Sequence, residues 1–147
     1  MLSDAPKNDL AHTRVLVVED DDIMRQLIVN ILNSVGIEII VTANDGVQAW
    51  RMFEQGEMFD LVICDWIMPG MDGLEVLRNI RAGNSAIPFI LVTIRDSEEA
   101  VKNATDRGVT AFVAKPFTPD QLIDEVLRVL DDAAEMKEEL DSEVWEF

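Results

Sequence analysis

Four short apolar runs limit what this chain can fold into: Val15-Leu16-Val17-Val18, Leu61-Val62-Ile63-Cys64, Phe89-Ile90-Leu91-Val92 and Ala111-Phe112-Val113-Ala114. Runs without polar alternation suit strands of a parallel sheet covered on both faces. Segments with helical periodicity follow them. The first carries Met24, Leu27, Ile28, Ile31, Leu32 and Val35 and stops at Gly36. Ile37 to Thr42 alternates in part, with Glu38 between isoleucines, as an edge strand does. Asn44-Asp45-Gly46 opens a second helix bearing Val47, Trp50 and Phe53, ended by Gly56. Leu74, Leu77 and Ile80 line a third, ended by Gly83. A fourth, roughly Ser97 to Arg107, offers mainly Ala100, Val101 and Ala104 to a core, which implies low local stability. Thr118-Pro119-Asp120-Gln121 starts a fifth, with a Thr cap, Pro at the first position and Gln three residues on. Five strands alternating with five helices demand right-handed crossovers and a sheet sandwiched between helices. The expected fold is a three-layer α/β domain.

With 147 residues, 48% of them hydrophobic, the chain can bury one core. Residues 14–130 are expected to form that domain, after a flexible arm over 1–13. The final segment, 131–147, reads two ways. Leu122, Val126, Val129, Ala133, Met136 and Leu140 follow alternating four- and three-residue steps, the seam of a short coiled coil and a possible homodimer contact. The surrounding acids equally suit a solvated helical extension or tail.

Twelve basic and twenty-nine acidic residues leave a net charge of −17. That field repels phosphate backbones and anionic membranes, so neither nucleic acid nor a membrane surface is an expected partner. No apolar stretch reaches membrane-spanning length, and the first residues lack the apolar core of a signal peptide. The lone cysteine, Cys64, sits inside an apolar run and reads as an inert small hydrophobe. These features point to a cytoplasmic protein. With His12 as the one histidine, a Ser-His-Asp or Cys-His centre and a multi-histidine metal site are excluded.

Charge follows the strands. Glu19 and Asp20 come after the first run, Asp65 after the run at 61–64, Thr93 after the run at 89–92 and Lys115 after the last. In a parallel sheet these strand ends lie on one edge, where open α/β sheets bind ligands. Three crowded carboxylates call for a hard divalent cation with oxygen ligands, most simply Mg²⁺. A cation, an ammonium and a hydroxyl around a remaining carboxylate make a phosphoryl-transfer site with Asp65 as nucleophile.

These residues resemble the receiver domain of two-component response regulators, over about Arg14 to Leu130. VLVVEDD, CDWIMPGMDG, LVT and AFVAKPF carry the likeness, in order and at the family's spacings. It is nearest in kind to stand-alone, chemotaxis-type regulators. The resemblance implies a flavodoxin-like, doubly wound (βα)5 fold with strand order 2-1-3-4-5. It makes Asp65 the phosphoacceptor. Asp20, Asp65 and the backbone carbonyl of Ile67 match the Mg²⁺ ligands, and Glu19 an acid acting through metal-bound water. A register slip to Asp20-Asp21 is a second possibility. Lys115 matches the phosphoryl partner, joined to Pro116 by a cis bond, and Thr93 with Phe112 matches the switch pair. The implied function is phosphoryl transfer from a histidine kinase or phosphotransfer protein to Asp65. The surface of the fourth helix, fifth strand and fifth helix then changes for an output protein or domain. Such a protein is a regulator rather than an enzyme, assisting only its own phosphorylation and dephosphorylation.

Two positions depart from the family pattern. Ile67 stands where polar residues are frequent, and Ile94 where small ones are usual. Both should obstruct water, so a long-lived phosphoaspartate is expected. A haloacid-dehalogenase-like phosphatase also uses a strand-end Asp, but wants a second Asp where this chain has Ile67. A receiver-shaped scaffold working without phosphorylation is the other alternative, and the intact acids and lysine speak against it.

Overall fold

The structure is a computed structural model that describes residues 9–144, with side chains to residue 140. Strands β1 (Arg14–Val18), β2 (Ile39–Ala43), β3 (Leu61–Asp65), β4 (Phe89–Thr93) and β5 (Ala111–Ala114) form one parallel sheet in the order β2-β1-β3-β4-β5. Helices α1 (Asp22–Ser34), α2 (Gly46–Glu54), α3 (Gly73–Ala82), α4 (Glu98–Asp106) and α5 (Pro119–Val144) alternate with them. This is the doubly wound α/β architecture expected.

The two-residue period of the strands divides the core. Val15, Val17, Leu61, Ile63, Ile90 and Val92 face α1 and α5, against Ile28, Ile31, Leu32, Leu122, Val126 and Val129. Leu16, Val18, Val62, Cys64, Phe89 and Leu91 face the other helices, against Ala49, Val76, Leu77, Ile80 and Ala104. The apolar runs lack polar alternation because both sheet faces are covered. Ala104 is the one buried residue of α4, so that helix has the thin core contact its sequence implies.

Several details differ from the periodicity reading. Leu27, counted in the α1 stripe, is 43% exposed, because Ile28 and Ile31 already fill the direction of the sheet. Helix α3 is followed by a left-handed residue, but it is Asn84 (φ 62) rather than Gly83. Leu122, Val126 and Val129, the first half of the proposed seam, are core residues of the domain, and α5 then runs unbroken to Val144. Met136 and Leu140 are exposed on that extension.

Of the flexible arm expected over 1–13, the structure describes residues 9–13. Leu10–His12 forms one 3-10 turn, Leu10 packs against the α1/α5 core, and Thr13 is buried with its hydroxyl donating to the Asp9 carbonyl at 2.8 Å. Residues 1–8, and 145–147 at the other end, lie outside the described residues. Among the described residues no helix is long and apolar enough to cross a membrane.

Strand register positions the site. Val18 pairs with both Ala43 and Cys64, Asp65 with Val92, and Thr93 with Ala114. The C-terminal ends of the strands are therefore level, and the loops that leave them meet along one edge.

Candidate functional site

The four acids after β1 are separated by their partners. Glu19 turns inward: its residue is 1% exposed and its carboxylate accepts from Lys115 Nζ at 3.2 Å. Asp21 caps α1, accepting from the Ile23 amide at 3.1 Å, where a carboxylate meets amides left without helical partners. Asp22 pairs with Arg25 at 2.5 Å. Asp20 is left facing the site. One carboxylate oxygen each from Glu19, Asp20 and Asp65 lies within 4.8 Å of the others. With Asp21 committed to the cap, the Glu19-Asp20 register describes the cluster and the Asp20-Asp21 register does not.

Asp65 closes β3 and is 8% exposed. Its Oδ2 accepts from Lys115 Nζ at 3.2 Å, and its Oδ1 from the Ile67 amide at 3.3 Å. Lys115 thus bridges two nearly buried carboxylates, and its bond to Pro116 is cis. Burial pushes Glu19 up to about 7; the neighbouring Asp65 carboxylate adds to this and Lys115 opposes it. Burial works to lower the Lys115 ammonium, but Glu19 and Asp65 outweigh it and hold it above its ordinary value. Burial, first, and the nearby acids push the Cys64 thiol well up, so it stays protonated and unreactive.

Thr93 is fully buried at the end of β4, and its Oγ1 accepts from the Arg95 amide at 3.2 Å. Trp66 is 3% exposed in the α2/α3 core, as a hydrophobic loop residue, with the Arg95 guanidinium 5.3 Å from its ring centre. Phe112 is half-buried and borders a shallow pocket of about 360 Å³ with Pro116, Gln121 and Asp124. Ile67 and Ile94, which follow Asp65 and Thr93 closely in the chain, are 43% and 66% exposed.

Two contributors escape a reading of the sequence. Gly73 opens α3 directly against the end of β3, a tertiary approach that no spacing reveals. Arg25 donates to the Glu19 carbonyl at 2.9 Å. Its three-residue step from Asp22 signals a helical pair but not that second bond.

Comparison with known proteins finds relatives for the chain as a whole. The profile of the family described as "Response regulator receiver domain" matches residues 15–127. The chain belongs to this family. It is 37% identical over 119 residues to chemotaxis protein CheY1 of Helicobacter pylori, covering 80% of this chain and 95% of that one. To chemotaxis protein CheY-3 of Vibrio cholerae it is 35% identical over 130 residues, covering 87% and 88%. The solved receiver domain of the Francisella response regulator 1452 superposes with a TM-score of 0.75 at 30% identity, covering 83% of this chain and 98% of that one. The protein is therefore a receiver domain of the chemotaxis type, a signalling module of two-component systems. As a receiver it is a regulator and not an enzyme in the usual sense, and receivers in general work between kinases and downstream targets.

Its donor set fits a magnesium ion. All the ligands the cluster offers are hard carboxylate oxygens, crowded enough to repel one another, with a single ammonium as compensation.

Proposed function

We propose that Asp65 is the phosphoacceptor of this receiver. The observation that carries the reading is Lys115 Nζ placed 3.2 Å from both Glu19 and Asp65, in a cluster completed by Asp20. A carboxylate oxygen of Asp65 attacks the phosphorus of a phosphohistidine on a kinase or phosphotransfer protein. The P–N bond breaks, the imidazole leaves with its electron pair, and a P–O bond forms, giving an acyl phosphate.

Asp20, Asp65 and the Ile67 carbonyl would hold Mg²⁺, with Glu19 acting through bound water. Bound there, the ion offsets the carboxylate charge and that of the phosphoryl oxygens. Lys115 exchanges its bond to Asp65 for one to a phosphoryl oxygen. The Thr93 hydroxyl accepts from Arg95 and still has its own proton to donate to the phosphoryl group. Movement of Thr93 leaves space for Phe112 to turn inward, which changes the surface of α4, β5 and α5 for an output partner. Phosphorylation acts as a population shift between two arrangements. The sparse core contact of α4 suits it to move.

Intact-mass spectrometry after incubation with acetyl phosphate tests the reading. It requires one Mg²⁺-dependent phosphoryl adduct, absent from Asp65→Asn. A folded, Mg²⁺-binding protein that takes no phosphoryl group from acetyl phosphate or from a histidine kinase would end it in favour of the scaffold.

A further inference from the structure

The backbone of Glu19 is held from two sides. Its amide donates to the Ala43 carbonyl at the end of β2, at 3.1 Å. Its own carbonyl accepts from Arg25 Nη1 at 2.9 Å, and Nη2 of the same guanidinium reaches Asp22 Oδ1 at 2.5 Å. Arg25 lies in the first turn of α1. Its side chain is 18% exposed, whereas that of Asp22 is 86% exposed. The exposed pair with Asp22 is worth little on its own. The more enclosed contact is the one to the Glu19 carbonyl, which no helical amide takes up. A planar fork bridging two acceptors fixes their relative orientation as a single ammonium would not. With its amide tied to β2 and its carbonyl tied to α1, Glu19 leaves the next peptide little freedom to rotate. That restriction sets the directions of the Glu19 and Asp20 side chains.

We propose that Arg25 is a positioning residue for the cation and phosphoryl site: its bond to the Glu19 carbonyl fixes the turn that holds Glu19 and Asp20 against Asp65. This rests on the reading of that cluster as the phosphoacceptor site. The sign of the effect separates positioning from simple electrostatics. A guanidinium beside an acidic cluster repels an arriving divalent cation, so if Arg25 were only a charge, its removal would tighten Mg²⁺ binding. Positioning requires the opposite.

The experiment is a Mg²⁺ titration of the whole chain by isothermal calorimetry at fixed ionic strength, with near-ultraviolet dichroism and a thermal melt in EDTA to confirm folding. Arg25→Met keeps helix propensity and length but removes both bonds and the charge. Arg25→Lys keeps the charge without the fork. Arg25→Met should bind Mg²⁺ about tenfold more weakly, the size of one lost charge-assisted hydrogen bond. It should also accept phosphoryl groups from acetyl phosphate more slowly, and Arg25→Lys should fall between it and the wild type. Equal or tighter Mg²⁺ binding by folded Arg25→Met overturns the proposal. If Arg25→Met does not fold, Arg25→Lys decides alone: weaker binding than wild type supports positioning, and equal binding overturns it. A wild type that neither binds Mg²⁺ nor takes a phosphoryl group would instead overturn the site reading, and the wild-type titration alone reveals that case.

Discussion

Gly73 lies so close beneath Asp65 that a Cβ at residue 73 would stand 2.2 Å from the Asp65 carbonyl oxygen and 2.9 Å from Trp66 Cα. The Gly73 amide donates to the Trp66 carbonyl at 2.9 Å, and Asp72 caps the helix by accepting from the Glu75 amide at 2.9 Å. Helix α3 is thus fastened directly to the strand end that presents the carboxylate. The obstructing atoms are backbone, so no rotamer change relieves the clash. Gly73→Ala should lose about 3 kcal/mol of stability in urea denaturation. The phosphoryl adduct should fall more than stability alone explains, because the backbone that must shift is that of Asp65.

Lys115 compensates two carboxylates at once, so its removal should be felt before any chemistry. Lys115→Met leaves Glu19 and Asp65 facing each other with no cation between them. In EDTA near neutral pH this should cost up to about 3 kcal/mol, the low end for a broken buried pair because the lysine side chain is 14% exposed. Mg²⁺ should restore part of that loss, since it binds the folded cluster and not the unfolded chain. It should not restore phosphorylation. Thermal melts with and without Mg²⁺ measure the first effect, and intact mass the second.

Glu19 gives the metal-free protein a defined pH dependence. Its folded value of about 7 lies above the ordinary 4.5, so the folded state holds the proton more tightly than the unfolded chain. The corresponding stability is fully present below the unfolded value and is lost as pH rises through about 7, in total roughly 3 kcal/mol. Lys115, also raised, sheds its contribution only above its ordinary 10.5, outside this window. In EDTA the melting temperature should therefore fall between roughly pH 5 and 8. Glu19→Gln should flatten the fall, and Mg²⁺ should reduce it by favouring the carboxylate form. A wild-type profile in EDTA no steeper than that of Glu19→Gln would refute the assignment.

The charged residues of the site were legible because each ends an apolar run, and a parallel sheet must gather such ends on one edge. Glu19, Asp65 and Lys115 needed no further information, and the structure brings these three together. The strand order did not follow from the pattern: alternation demands a covered parallel sheet but leaves its winding open, and only the family resemblance supplied 2-1-3-4-5. The roles of Asp20 and Asp21 were ambiguous because one residue of strand length decides which acid caps α1. Leu122, Val126 and Val129 read equally well as seam or core, since both uses place apolar residues three and four apart. Arg25 and Gly73 stayed hidden for another reason. Their partners are backbone carbonyls, of Glu19 and Asp65, which leave no trace in side-chain spacing.

Ile67 and Ile94 bear on how long a phosphoryl group on Asp65 survives. They follow Asp65 by two residues and Thr93 by one, on different loops, and carry branched hydrocarbon that is 43% and 66% exposed. The Ile67 amide already points at Asp65 Oδ1, which keeps this residue beside the acyl phosphate once it forms. Hydrolysis requires a water aligned opposite the Asp65 oxygen, and neither side chain can hydrogen-bond or orient one. The phosphorylated protein should accordingly be long-lived. Ile67→Asn supplies a group able to orient water, and Ile94→Ala opens the approach. Each should shorten the half-life of the adduct, followed by intact mass after the donor is removed, and the double variant should shorten it further. If neither single variant changes the rate, the isoleucines are not the barrier, and the lifetime is set by the site formed by Glu19, Asp20 and Lys115.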